Sequence, residues 1–174
     1  MKITSDEIKI ALLSYYRFKN QQISADEVGF MLGNTDISSL RKDDLLIEVE
    51  IKISKSDLWQ GEAAKKQKHN IYKEPNNVQL ESYFIPNYFF ICVPTSLLDT
   101  AKEWVLTNNE KYGILEYKVG TLESSIFYKP EDHIYINKRA KPLHLISQPK
   151  VIDKIARRLS SVNINLKKDK KEIL

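Results

Sequence analysis

The run YFFICV at positions 88–93, halted by Pro94, constrains this chain more than any other stretch. A strand sends alternate side chains to opposite faces, so a run that is apolar at every position must be covered on both. SLLDTAKEWVLTNN follows it with helical character, and YGILEYKV then reads as a second strand. Strand, helix, strand at this spacing is a crossover between parallel neighbours. Upstream, Thr4 and Glu7 have capping-box spacing, and Ile8, Ala11, Leu12, Tyr15 and Tyr16 recur at helical spacing up to about Asn20. Strand character around Val28 to Leu32 ends at the turn signal GNT. A hairpin of DISSL and LLIEVEIKIS follows. Ser56 is an N-cap candidate for a helix reaching Tyr72, with Gly61 its weak point. The order α-β-β-β-α-β-α-β predicts an α/β fold: a central mixed sheet of about four to five strands flanked by helices.

Less regular pieces complete the chain. SSIFYK is expected to add an antiparallel strand, and DKIARRLSSV an amphipathic helix with Ile152, Ile155, Ala156 and Leu159 inward. The expected organisation is one domain over 1–147, a helix packed on it over 148–166, and a basic flexible tail over 167–174.

Cys92 is the only cysteine, which excludes an internal disulfide and a cysteine-clustered zinc site. It sits in the apolar run and reads as a buried core thiol. The sequence shows no membrane-length apolar run and no signal peptide, so a cytoplasmic protein without membrane contact is expected. The net charge of +4 is gathered in AAKKQKHN and LKKDKKE, which suit a polyanion or a solvated surface. No glycine-rich phosphate loop is present, and the sequence places no acidic or histidine residue at ligand spacing from His133 or His144, so both read as structural or exposed.

IEVEIKIS, positions 47–54, alternates Ile47, Val49, Ile51 and Ile53 with Glu48, Glu50, Lys52 and Ser54. The plain reading is a half-exposed strand with a solvated charged face. Pairing apolar residues across the hairpin tests it further. If Ile37 faces Val49, Asp36 stands opposite Glu50, the loop is positions 41–45, and Lys52 lies two residues along on the same face. Opposed carboxylates repel unless water dilutes the charge or a cation neutralises it. A hard ion such as Mg²⁺ takes one or two carboxylates, and the Ile51 carbonyl offers a further oxygen. A nearby ammonium suits water orientation and charge stabilisation at phosphorus.

Asp36, then Glu50-Ile51-Lys52 after thirteen intervening residues, resembles the PD-(D/E)XK nuclease superfamily, whose restriction-endonuclease-like core is αβββαβ. EVEIKISKSDL, KKQKHNIY, PNYFFICVP and YGILEY are similar to small bacterial and phage members, over about residues 1 to 145. The resemblance implies that Asp36, Glu50 and the Ile51 carbonyl bind Mg²⁺ or Mn²⁺ and that Lys52 activates or orients water. Thr35 stands where many members have proline. Glu7 and Glu27 are candidates for a further acid, although the capping box already accounts for Glu7. Glu48 could be a spare ligand or a solvated partner of Lys52 or Lys42. Lys65, Lys68, His69 and Tyr72 share one helical face. The resemblance gives them nucleic-acid contacts; the alternative is a surface helix with an i,i+4 pair from Glu62 to Lys66. The function expected is a metal-dependent nuclease acting on DNA more than RNA. A non-catalytic module binding nucleic acid or protein, and an RNA-directed enzyme, are the alternatives, and a homodimer stays open.

Overall fold

The computed structural model describes residues 3–75, 79, 83–119 and 129–172. These form α1 (Ser5–Ser14), closed by a π-helical turn (Tyr15–Lys19), and the strands β1 (Ile23–Asp26), β2 (Gly29–Phe30), β3 (Gly33–Asn34), β4 (Ile37–Leu40) and β5 (Leu46–Ile51). A second π-helical turn (Asp57–Gly61) leads to α2 (Lys66–Lys73). Then come β6 (Tyr88–Pro94), α3 (Leu98–Asn108), β7 (Gly113–Tyr117), β8 (Ile134–Lys138) and α4 (Val151–Glu172).

One six-stranded sheet runs in the order β1-β4-β5-β6-β7-β8, and β2 with β3 makes a separate small hairpin. β5, β6 and β7 are parallel neighbours, while the other pairs are antiparallel. The fold is therefore α/β, a mixed sheet flanked by helices and consistent with a restriction-endonuclease-like core. It carries one or two more strands than the sequence suggested. The first strand is Ile23–Asp26 rather than Val28–Leu32, because Gly33 at φ 115° folds that later stretch into the β2–β3 hairpin. SSIFYK lies outside the described residues, save Lys129.

β6 is covered on both faces, as its composition demanded. Phe89, Ile91 and Val93 pack with Tyr72 of α2 and Trp104 of α3, whereas Cys92 packs with Ile8 and Leu12 of α1. Each such buried side chain contributes about 1.5–3 kcal/mol relative to exposure. Burial also pushes the Cys92 thiol well above its ordinary value, so it stays protonated and inert.

Three local expectations need correction. Ser56 has helical backbone and no capping bond; the Ser54 hydroxyl instead accepts from the Asp57 N–H at 3.1 Å. In α4, Val151 and Ile155 are fully buried against Ala25, Leu40 and Leu46, but Ile152 and Leu159 are 42% and 43% exposed. The apolar stripe is wider than the face the sheet accepts. Finally, α4 continues to Glu172, past the boundary expected at residue 166.

Gly113 opens β7 against Phe90 of β6, and a Cβ there would lie 2.3 Å from the Phe90 ring and 2.8 Å from the backbone nitrogen of Ala140. Gly113→Ala is expected to destabilise the protein by about 1–3 kcal/mol through overpacking. Urea denaturation checks this, and an unchanged midpoint would contradict the close approach.

Candidate active site

The hairpin register is the one the apolar residues demanded. Ile37 pairs with Val49 and Leu40 with Leu46, leaving positions 41–45 as the loop. Asp36 therefore sits just before β4, across from Glu50. Its Oδ2 accepts the Ile51 N–H at 2.7 Å, standing in for a ladder carbonyl where β4 has ended. The Lys52 N–H donates to Cys92 O of β6 at 2.9 Å. Strand parity then turns the Ile51 carbonyl to the β4 side, where Asp36 lies.

The charged row of β5 is not solvated. All six residues of the strand are buried, with Glu48 and Glu50 each 1% exposed. α2 covers the row and supplies its cations. Lys68 Nζ lies 2.5 Å from Glu48 Oε1 and 2.6 Å from Glu50 Oε1. Lys65 Nζ lies 2.6 Å from Glu50 Oε2 and 3.1 Å from Glu62 Oε1. Lys52 Nζ lies 2.7 Å from Glu62 Oε1 and 3.5 Å from Glu50 Oε2. The Tyr72 hydroxyl donates to Glu48 Oε2 at 2.7 Å, so neither Lys52 nor Lys42 partners Glu48.

Lys68, His69 and Tyr72 do share a helical face, but it points inward. They are 4%, 5% and 2% exposed, so they brace the carboxylates rather than present a surface to a nucleic acid. Only Lys65, with a third of its side chain exposed, reaches solvent. It borders a groove lined by Met31, Leu32, Ala64, Gln67, Lys68 and Tyr83. Glu62 is 1% exposed and serves Lys52 and His69, not Lys66. His69 lies between Glu62 Oε2 and the Tyr112 hydroxyl, 2.8 Å from each. Sequence reasoning gave Glu62 only a surface pair with Lys66 and passed over Tyr112. The spacing of Glu62, Lys65, His69 and Tyr72 on one helical face was the available signal for Glu62; nothing local marked Tyr112.

Neither proposed further acid joins the site. Glu7 closes the α1 capping box with Thr4. Glu27 has its carboxylate on Lys9 at 2.8 Å and Arg158 at 3.1 Å. Both are held below the usual carboxylate value, Glu7 by Thr4 and Glu27 chiefly by Lys9.

Electrostatics divide the remaining acids. Burial, then repulsion from Glu50, raises Asp36. Burial raises Glu48 despite Lys68. Burial opposes ionisation of Glu50 too, but Lys68, Lys65 and Lys52 outweigh it and hold that carboxyl low. Burial likewise opposes ionisation of Glu62, yet His69, Lys52 and Lys65 bring it far below the ordinary range. Burial works against the charge on Lys52, but Glu62 and Glu50 overcome it, so this ammonium keeps its proton well beyond neutral pH.

The donor set fits a hard divalent cation. Asp36, Glu50 and the Ile51 carbonyl provide oxygen at one end of the hairpin, and such ions take their other ligands from water and phosphate. Asp36, Glu48, Glu50, Asp57 and Glu62 gather around Lys52, Lys65 and Lys68, five carboxyl groups to three ammonium groups, with Lys9 acting on Asp36 from a distance. No group of three or more His, Cys, Asp or Glu side chains gathers at ligand spacing among the described residues.

No family model matches the chain, and no curated protein matches it. Among solved structures, a protein of unknown function from Silicibacter pomeroyi superposes with a TM-score of 0.62 at 15% identity, covering 98% of this chain and 96% of that one. That likeness bears on fold alone. An XisH family protein from Nostoc punctiforme (TM-score 0.43, 20% identity, 76% of this chain and 98% of that one) is a further structural neighbour. So is an fdxN element excision controlling factor protein from Anabaena variabilis (0.42, 20%, 66% and 92%). Both overlap too loosely to bear on function. No helix among the described residues is long and apolar enough to cross a membrane.

Two outcomes are expected. Lys68→Met leaves Glu48 and Glu50 buried without their shared cation and costs about 3–5 kcal/mol, part of which Glu48→Gln restores. Denaturant titration of the four proteins checks this; simple additivity would contradict the shared pairing. Asp36→Asn keeps an acceptor for the Ile51 N–H and removes a charge disfavoured by burial and Glu50. The metal-free thermal midpoint at pH 7 should rise by about 1–3 °C. Because the folded value of Asp36 is raised, its penalty is complete above that value and fades as pH falls through it toward 3.8. Melts from pH 7 to pH 4 should show the advantage of Asp36→Asn shrinking; a destabilised variant at pH 7 would contradict it.

Proposed function

We propose that this chain is a metal-dependent nuclease that hydrolyses phosphodiester bonds in DNA. The supporting observation is the register that sets Asp36 across from Glu50, with the Ile51 carbonyl turned to the same side and the Lys52 ammonium 3.5 Å from Glu50 Oε2. Asp36, Glu50 and the Ile51 carbonyl would hold Mg²⁺ or Mn²⁺, which supplies Lewis-acid polarisation of the scissile phosphodiester. In hydrolysis a water oxygen bonds to phosphorus, the ester P–O bond breaks, and the water's protons pass to the departing hydroxyl and to solvent. Lys52 keeps its proton, so it donates hydrogen bonds and offsets charge on the phosphoryl oxygens rather than acting as a base. Glu62, fixed by His69 and Tyr112, positions that ammonium.

A second reading is a non-catalytic nucleic-acid-binding module. It is favoured by the lysines on both Glu50 oxygens, Lys68 on Oε1 and Lys65 on Oε2. The two readings part in one assay. Linear, circular and single-stranded DNA are incubated with Mn²⁺ beside Lys52→Ala and Glu50→Gln. Nuclease action predicts cleavage by the parent and a loss of about 100-fold or more in each variant. Cleavage equal in all three proteins, or absent throughout, would contradict it.

A further inference from the structure

A second groove, about 480 Å³, lies beside the β2–β3 hairpin. Val28 and Gly29 line it, whereas Met31 and Leu32 line the groove at Lys65, so the hairpin borders both. Its other wall is α4. Lys150, at the start of the helix, and Lys154, Arg157 and Arg158 fall at i, i+4, i+7 and i+8 and face the groove together. Glu27 and Asp153 are the acids that line it. Like charges stacked along one helical face repel. Arg158 and Lys154 also tie α4 to the neighbouring backbone, at Asp26 O (3.0 Å) and Gly29 O (3.4 Å), whereas Lys150 and Arg157 are exposed.

Two further observations mark the place as built. Glu27 and Phe84, on its walls, both hold left-handed backbone, at φ 48° and 51°. Non-glycine residues keep that conformation only when their surroundings enforce it, and they gather at binding sites. Lys154 Nζ lies over the Phe84 ring of the groove, 5.5 Å from its centre, and 5.9 Å from that of Phe30 behind it. The groove also adjoins the candidate active site. The Glu27 N–H donates to the Asp36 carbonyl at 3.2 Å, and Arg158 reaches Glu27 Oε2 at 3.1 Å.

We propose that this groove is the track along which the phosphodiester backbone of DNA approaches Asp36 and Glu50; the assignment of DNA rests on the nuclease reading. Guanidinium and ammonium groups in a row suit successive phosphates. The continuity with Asp36 favours a strand that passes from one site to the other over a small free anion.

The test is fluorescence anisotropy of a short labelled duplex with the full chain in EDTA, across a salt series. It compares the parent with Lys150→Gln/Arg157→Gln, two exposed residues outside the carboxylate cluster. The double variant should bind about 10-fold more weakly at low salt, with the log-log salt slope shallower by about two and the thermal midpoint unchanged. Unchanged affinity and slope would overturn the groove while leaving the cleavage assay to judge the nuclease reading. The expected loss of binding in a protein that never cleaves with Mn²⁺ would uphold the groove and sink the catalytic reading. Preference for RNA of the same sequence would overturn the assignment to DNA.

Discussion

Glu48 and Glu50 sit on a strand whose six residues are all buried, and a buried carboxylate must find a cation or give up its charge. That requirement organises the surrounding structure. Lys68 is drawn between the two acids, Tyr72 caps the free oxygen of Glu48, and Lys65 and Lys52 close on Glu50. Glu62 then balances Lys52 and Lys65 and is itself held by His69. The π-helical turn Asp57–Gly61 and the break before α2 lie in the segment that must bring Glu62 and Lys65 to one strand row.

The apolar pattern made the hairpin and the βα-crossover legible in advance. A slip of one residue would have set Ile37 opposite Glu48 or Glu50 instead of Val49, so the register had one solution. Asp36 opposite Glu50 followed from it. The fate of the charged row was not legible. Alternation shows which residues share a face but not what covers that face, and Glu48 and Glu50 look the same in sequence whether water or α2 lies above them. The edge strands were missed for a related reason. Ile23–Asp26 is too short and too polar to announce itself, and it is a strand because β4 offers it a partner.

The same covering that makes the site rigid also sets the terms for its chemistry. Lys68, His69 and Tyr72 are committed to the buried carboxylate network and are almost fully buried. Lys65 differs: it bonds Glu50 from the rim of a groove, one third exposed. On the present account Lys65 is the cation nearest to exchange, and Asp36, raised by burial and by Glu50, is the acid that most lacks one. A divalent ion shared by Asp36 and Glu50 would relieve both conditions at once.

Anomalous diffraction from crystals grown with Mn²⁺ tests that sharing most directly. The account predicts one strong peak between the Asp36 and Glu50 carboxylates and beside the Ile51 carbonyl, with Lys65 moved off Glu50. A clean map at that position in Mn²⁺-saturated crystals, with Lys65 still bonded to Glu50, would contradict it.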